Sequence, residues 1–269
     1  MTQIREALSA AVKQLGAKDI TSARLDAELL MSHVTGHDRP WVLAHDDDFL
    51  TDTQSNAFQN LIQRRAGREP LVHLTGGREF YGLDMLVTPD VLTPRVETEQ
   101  MVDWAIKYAP KNSDLIDIGT GSGAIAIAIA KHRPDLTVSA TDVSSRELQV
   151  ATQNATRHNT KIELIESDLW SNISGKYQTV VANLPYLNSD ADLMPEVQRE
   201  PAVALFGGPD GLDLYRKFFH DLPGHLSSRG YVFVESDPWQ HEALISQAAA
   251  ANLSPIEKGY FILGFQINK

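Results

Sequence analysis

The sequence predicts an α/β fold: a doubly wound, mostly parallel sheet with a C-terminal β-hairpin, preceded by a small all-helical N-terminal domain. Three observations carry that expectation. From Asp114 onward, short apolar runs alternate with helix-like stretches, the pattern of parallel strands joined by covering helices. A glycine-rich loop lies directly between the first of those runs and the helix after it. The first 75 residues carry apolar side chains at helical spacing and show no strand-like alternation.

Taken in order, Ile4, Leu8, Ala11, Val12 and Leu15 make one helical stripe, and Leu25, Leu29, Leu30 and Val34 make a second. Phe58, Leu61 and Ile62 mark a third helix before Gly67 and Pro70. Residues 1–75 thus read as a helical domain, and residues 76–92 as a linker. Within that linker, REFYGLDMLVTP (78–89) places two apolar–aromatic runs around Gly82, the signature of a β-hairpin. Thr93-Pro94 opens a third segment, 93–269, whose first helix sets Val96, Met101, Val102, Ala105 and Ile106 on one face. Strands follow at 115–119, 137–141, 162–166, 179–183 and 231–235, with helices expected over 122–131, 144–158, 211–227 and 239–251. The final GYFILGFQINK reads as a strand pairing with PIEK (255–258).

Composition narrows the function. The chain has 269 residues, 42% hydrophobic and 22% charged, enough for a sizeable core. Its 24 basic and 35 acidic residues give a formal charge of −11, which argues against a broad duplex-coating surface. Residues 1–75 hold 8 basic and 10 acidic side chains, so most of that charge lies beyond them. With no cysteine, a disulfide framework, a Cys-ligated metal and a catalytic thiol are all excluded. No apolar run reaches 18 residues, the densest being AIAIAIA at 124–130, so no membrane partner is expected. The N-terminus carries Arg5, Glu6 and Lys13 at helical spacing and no signal-peptide block, so a cytoplasmic location is expected. Asp46-Asp47-Asp48 reads as a solvated loop rather than a set of converging oxygens, so no metal site is expected.

The sharpest local feature is Asp117-Ile-Gly119-Thr120-Gly121-Ser122-Gly123, after a strand and before a helix. Glycines there allow a tight turn and let backbone N–H groups approach a ligand. Asp142 ends the next strand, 19 residues past Gly123, where a carboxylate accepts both hydroxyls of a ribose. Asp168 and Trp170 follow the third strand, placed to hold an adenine. Two cofactors compete for such a site. A dinucleotide needs a helix N-terminus for pyrophosphate, and Asp117 would repel it. The same carboxylate suits the ammonium of a methionine moiety, which favours S-adenosylmethionine. The plainer readings are a helix cap for Asp142, a turn residue for Asp168 and core packing for Trp170.

After the fourth strand comes Asn183-Leu184-Pro185-Tyr186. It reads either as a turn or as a nitrogen-positioning device. An amide or exocyclic amino nitrogen is a poor nucleophile because its lone pair is delocalised. The Asn183 side-chain oxygen and the Leu184 carbonyl are placed to accept its two N–H bonds and aim the lone pair. Tyr186 is placed to stack on the planar group, and Pro185 stiffens the loop. Arg95 opens a helix, where a cation is unfavourable, and is a candidate for the substrate entry.

With GTGSG, NLPY and PRVETE in hand, the chain resembles the release-factor glutamine methyltransferases, the HemK/PrmC family, over nearly its whole length. PLVHLTGGREFYGL (70–83) resembles that family's joint between a helical domain and the catalytic domain. LTPRVETE (92–99) resembles its Pro-Arg-Pro-Glu-Thr signature, and EPAVALFGGPDGLDLYR (200–216) resembles the stretch after its tetrapeptide. The resemblance implies a Rossmann-like, seven-stranded class I methyltransferase sheet. It also implies methyl transfer from S-adenosylmethionine to the side-chain amide (N5) of the glutamine in the Gly-Gly-Gln loop of class 1 peptide chain release factors. Cofactor residues map onto Gly119 to Gly123, Asp142, Trp170 and Asn183, and the substrate tetrapeptide onto Asn183 to Tyr186. The helical domain would then grip the release factor.

Three departures stand out. Leu184 replaces the first proline of the family's Asn-Pro-Pro-Tyr. ESDPWQ (235–240) keeps Glu235 and Gln240 but lacks a glycine two residues after the glutamate, and EKGYFILGF lacks an arginine. Asn-Leu-Pro-Tyr also occurs in ribosomal RNA adenine dimethyltransferases, which leaves two alternatives: an adenine-N6 methyltransferase acting on RNA or DNA, and a cofactor-binding module that has lost catalysis.

Overall fold

A computed structural model describes residues 2–268 and divides them into two compact units. One is the chain up to Gly76 together with Leu193–Arg199; the other is Gly77–Asp192 and the chain from Glu200 onward.

The first unit is built from α1 (Ile4–Gly16), α2 (Ala23–Thr35), α3 (Arg39–Ala44), α4 (Asp52–Ala66) and α5 (Leu71–Thr75). Helix starts follow ordinary capping chemistry. Asp38 accepts from the Trp41 N–H to open α3, and Thr51 with Gln54 forms a capping box on α4. The core gathers Leu15 from α1, Ala27, Leu30 and Met31 from α2, and Phe58 and Ile62 from α4. Leu25, expected on the inner stripe, is 44% exposed, because the buried face of α2 is turned toward Ala23, Ala27 and Leu30. Two short helices, α3 and α5, lie in stretches the periodicity leaves blank, since six and five residues are too few to repeat a stripe. Burial also takes in charge: Arg65 reaches Asp26 at 2.7 Å and Glu196 of the returning segment at 2.8 Å. Each buried charge in that group is thereby paired, as desolvation requires.

The second unit begins with a hairpin, β1 (Gly77–Phe80) and β2 (Leu83–Leu86), turning on Tyr81 and Gly82, both at positive φ. Residues expected as a linker are therefore an integral part of this unit: Phe80 and Met85 are buried in its core. A 3₁₀ turn (Val96–Thr98) leads into α6 (Glu99–Tyr108), and Val96, expected on the buried face, is exposed because it precedes the α-helical turns. There follow β3 (Asp114–Ile118), α7 (Ala124–His132), β4 (Thr137–Asp142), α8 (Ser145–Arg157), β5 (Glu163–Glu166) and β6 (Tyr177–Ala182). The chain ends with α9 (Asp213–His225), β7 (Leu226–Glu235), α10 (His241–Ala250), β8 (Leu253–Lys258) and β9 (Ile262–Ile267).

These strands form one seven-stranded sheet in the order β5-β4-β3-β6-β7-β9-β8, parallel except where β9 pairs antiparallel with β7 and β8. Alternation sets the layers. Ile116, Val180 and Val232 face one side with α9 and α10, whereas Leu115, Val181 and Phe233 face the other with α6 and α7. Helix α7 is buried on every side from Ala124 to Ile129, which is why AIAIAIA carries no polar face. The strand order reverses direction between β3 and β6, so the loops after these two strands part and leave a crevice at their carboxyl ends.

Candidate active site

The glycine loop leaves β3 in a conformation that only glycine adopts freely. Gly119, Gly121 and Gly123 all have positive φ, at 76°, 53° and 81°. Gly119 and Thr120 donate their N–H groups to the Thr141 carbonyl at 2.9 and 2.8 Å, which ties the loop to β4. Gly121 donates to Asp142 Oδ2 at 2.9 Å, and Ser144 donates to Asp142 Oδ1 at 3.0 Å. Gly123 caps α7, and a Cβ there would press on Ile127 and Ala151, so its place is in helix packing.

Above this loop lies a cavity of about 290 Å³. Its lining brings together Gly119, Thr120, Gly121, Ser122, Asp142, Asp168, Asn183, Leu184, Pro185 and Arg95 of the residues expected from sequence. Four others stand apart. Asp117 lies beneath the loop, fully buried, with Thr120 Oγ1 donating to its Oδ2 at 2.7 Å and no partner on Oδ1. Gly123 is in the helix contact just described. Tyr186 turns its hydroxyl away onto Glu235 at 3.2 Å and does not line the cavity. Trp170, expected beside an adenine, is core instead: its ring stacks on His225 at 4.7 Å and its Nε1 donates to the Phe218 carbonyl at 3.1 Å. A buried indole needs an acceptor for its one N–H, and α9 provides it.

The tetrapeptide is held from several sides. Leu184 is buried, and its N–H, which a proline would lack, donates to the Tyr215 hydroxyl at 3.2 Å. Gln240 Nε2 donates to the Tyr186 carbonyl at 2.9 Å and to the Asp210 carbonyl at 3.1 Å. The loop Gly207–Gly211 packs backbone to backbone against residues 185–186: a Cβ at Gly207 would overlap the Pro185 carbonyl oxygen, and one at Gly211 the Tyr186 carbonyl oxygen. Arg95 pairs with the buried Glu200 at 2.6 Å at the cavity rim.

Electrostatically the site is marked by buried carboxyls. Burial pushes the Asp117 carboxyl up to about 7, against the Thr120 hydrogen bond, with Asp142 adding repulsion. Asp142 is also raised by burial. Glu147 lines the cavity and is pushed up to about 8 by burial and by the charges of Asp142 and Asp90. It escapes a sequence reading because an acid in the first turn of a helix is ordinary. Its proton is retained in the folded chain after the unfolded chain has lost it, so stability falls as pH rises from 4.5 to about 8. Glu147→Gln is expected to raise the melting temperature by roughly 2–5 °C at pH 9 and by nothing at pH 4, read by thermal denaturation.

Residues 6–76 match the family described as the PrmC N-terminal domain, and residues 102–200 match the methyltransferase small domain. The chain is similar to the release factor glutamine methyltransferase of Geobacter sulfurreducens, 38% identical over 246 residues and covering 90% of this chain and 87% of that protein. It is similar also to the release factor glutamine methyltransferase of Escherichia coli, at 36% over 246 residues, covering 90% and 88%. Among solved structures, a methyltransferase from Pyrococcus furiosus shares the fold at a TM-score of 0.56 and 18% identity, covering 77% of this chain and all of that one (100%). With helical unit, sheet order and tetrapeptide in place, and identity of this level along nearly its full length, the chain belongs to the release factor glutamine methyltransferase family.

Proposed function

We propose that this protein transfers a methyl group from S-adenosylmethionine to the side-chain amide nitrogen of the glutamine in the Gly-Gly-Gln loop of class 1 peptide chain release factors. The observation that carries the reading is the meeting of Gly119–Ser122 and Asn183–Pro185 in one cavity at the switch point of the sheet.

The residues present fit the methyl donor. Asp117 Oδ1 is an unpartnered buried carboxylate oxygen beneath the loop, the chemistry an ammonium needs, and a Cβ on Gly119 would crowd Leu184 Cδ2 at 3.0 Å. Of the cavity's lining, Asp142 would take the ribose hydroxyls and Asp168 with Leu169 and Leu214 the adenine, in place of Trp170. When bound, the donor supplies an electrophilic sulfonium methyl. Everything else is positioning by this chain. The Asn183 side-chain oxygen and the Leu184 carbonyl accept the two amide N–H bonds, which aims the nitrogen lone pair along the transfer axis. Pro185 restricts the loop, and Gln240 and the glycines at 207 and 211 brace it from behind. The amide proton leaves to water after transfer. Of the lining side chains only Arg95 and Lys217 are cationic, and Arg95 is already paired, so the cavity does not favour a nucleic-acid phosphate. The helical unit is assigned to holding the release factor.

Incubation with labelled donor and a purified release factor, its Gln→Ala loop variant, or RNA tests the reading. Label on the unaltered release factor alone is expected; label on RNA alone overturns the assignment. Donor binding itself is expected to weaken about tenfold per pH unit as pH falls below about 7, because a cation requires ionised Asp117. Asp117→Asn should bind more weakly and lose that slope in calorimetry between pH 5 and 8.

A further inference from the structure

Glu235 is a buried carboxylate, 2% exposed, that no step above employs. It ends β7, the strand beside β6, and both of its oxygens are engaged by residues at the tetrapeptide. Thr98 Oγ1, at the end of the 3₁₀ turn, donates to Oε2 at 2.6 Å, and the Tyr186 hydroxyl donates to Oε1 at 3.2 Å. Asn183 Nδ2 donates to Thr98 Oγ1 at 3.4 Å.

The sense of these bonds follows from how many hydrogens each group carries. A hydroxyl has one hydrogen, and both Glu235 oxygens already accept, from Thr98 and from Tyr186. Thr98 directs its hydrogen to Glu235, so its oxygen meets Asn183 only as an acceptor. The end of the Asn183 amide on that side is therefore the NH₂ group, and its carbonyl oxygen is turned the other way. Transfer to an amide requires that orientation. A flipped Asn183 would set N–H donors against the N–H bonds of the substrate nitrogen and would align nothing.

The geometry points to Glu235 and Thr98 as positioning residues that fix the Asn183 amide in its acceptor orientation, while the Glu235–Tyr186 bond anchors the far end of the tetrapeptide. This rests on the transfer reading above and adds to it the device that gives Asn183 its direction. A motif centred on the tetrapeptide omits it, because Thr98 and Glu235 stand 85 and 52 residues away in sequence and meet only across strand ends.

Thr98→Val keeps the shape and removes the hydroxyl. It is expected to lower kcat about 10- to 100-fold, with KM for the protein substrate and donor Kd within about threefold of wild type. Thr98→Ser is expected to restore kcat to within about threefold. Glu235→Gln can offer an N–H to Thr98, reversing the sense of the chain, and should lower kcat to a similar degree. The double variant Thr98→Val/Glu235→Gln should be no slower than the slower single, since both act through one amide. Wild-type kcat in Thr98→Val overturns the proposal. So does a parallel loss of donor affinity and melting temperature, or a defect that serine fails to repair. Should Glu235→Gln fail to fold, the valine and serine pair at 98 decides alone. Rates are read on whichever acceptor, release factor or RNA, the wild type methylates, so an error in the substrate assignment shows in the wild type and not in the variants.

Discussion

Asn183→Ala is expected to lower kcat by about 10²–10³-fold while donor affinity stays within about threefold. In the proposed transfer two acceptors would face the substrate nitrogen, and this change removes one of them. The Leu184 carbonyl remains, since it belongs to the backbone and is braced by the Tyr215 hydroxyl on its own N–H. What is lost is alignment in the transition state rather than ground-state binding, so the defect falls on kcat. Single-turnover transfer measured beside calorimetric donor binding separates the two, and a rate within a few-fold of wild type refutes the role. The cavity walls that would touch the donor, from Gly119 to Ser122 and at Asp142, are untouched by the change.

The second large effect concerns glycine. Gly211→Ala is expected to cost about 2–4 kcal/mol of stability and to reduce transfer at least about 100-fold. Gly211 has φ of 72°, where a Cβ is strained, and that Cβ would overlap the Tyr186 carbonyl oxygen and crowd the Gln240 amide. The Tyr186 carbonyl cannot retreat without moving the tetrapeptide itself, and the Gln240 side-chain amide is held by its bonds to the Tyr186 and Asp210 carbonyls. Gly224→Ala is the matched control: it lies inside α9 with nothing within 4 Å of an added Cβ. There alanine should be neutral or stabilise by about 0.5–1 kcal/mol. Chemical denaturation with a methylation assay on both variants reads the contrast; equal behaviour would mean the loop is not a brace.

Most of the catalytic unit was legible because its signals are local. Strands LIDIG and TVVAN are continuous apolar runs buried on both faces, and the glycine loop carries its own conformational signature. Trp170 was not legible in the same way. Its distance in sequence from Asp168 suits a ligand, but which way an indole faces depends on α9, some 48 residues on, which offers the Phe218 carbonyl. Tyr186 is similar: the motif suggests stacking, whereas the buried Glu235 draws its hydroxyl away. Leu25 and Val96 show a smaller failure, where a stripe counted from the wrong turn rotates an exposed residue inward. Glu147 went unremarked, and Thr98 and Glu235 stood in family-like segments without a role, for one reason. An acid or a threonine near a helix start or a strand end is ordinary until the tertiary fold desolvates it.

Asn154, buried in α8, accepts from the Leu86 N–H at 2.7 Å and donates to the Leu86 and Ser122 carbonyls at 3.0 and 2.9 Å. One amide side chain thus joins the last residue of the early hairpin to the glycine loop, across 68 and 32 residues of sequence. Hydrogen bonds that converge on one buried side chain are all lost when that side chain is displaced. Displacing that one side chain would therefore free the hairpin end and the glycine loop at once. What reads in the sequence as a joint between domains is, by this side chain, fastened directly to the catalytic loop.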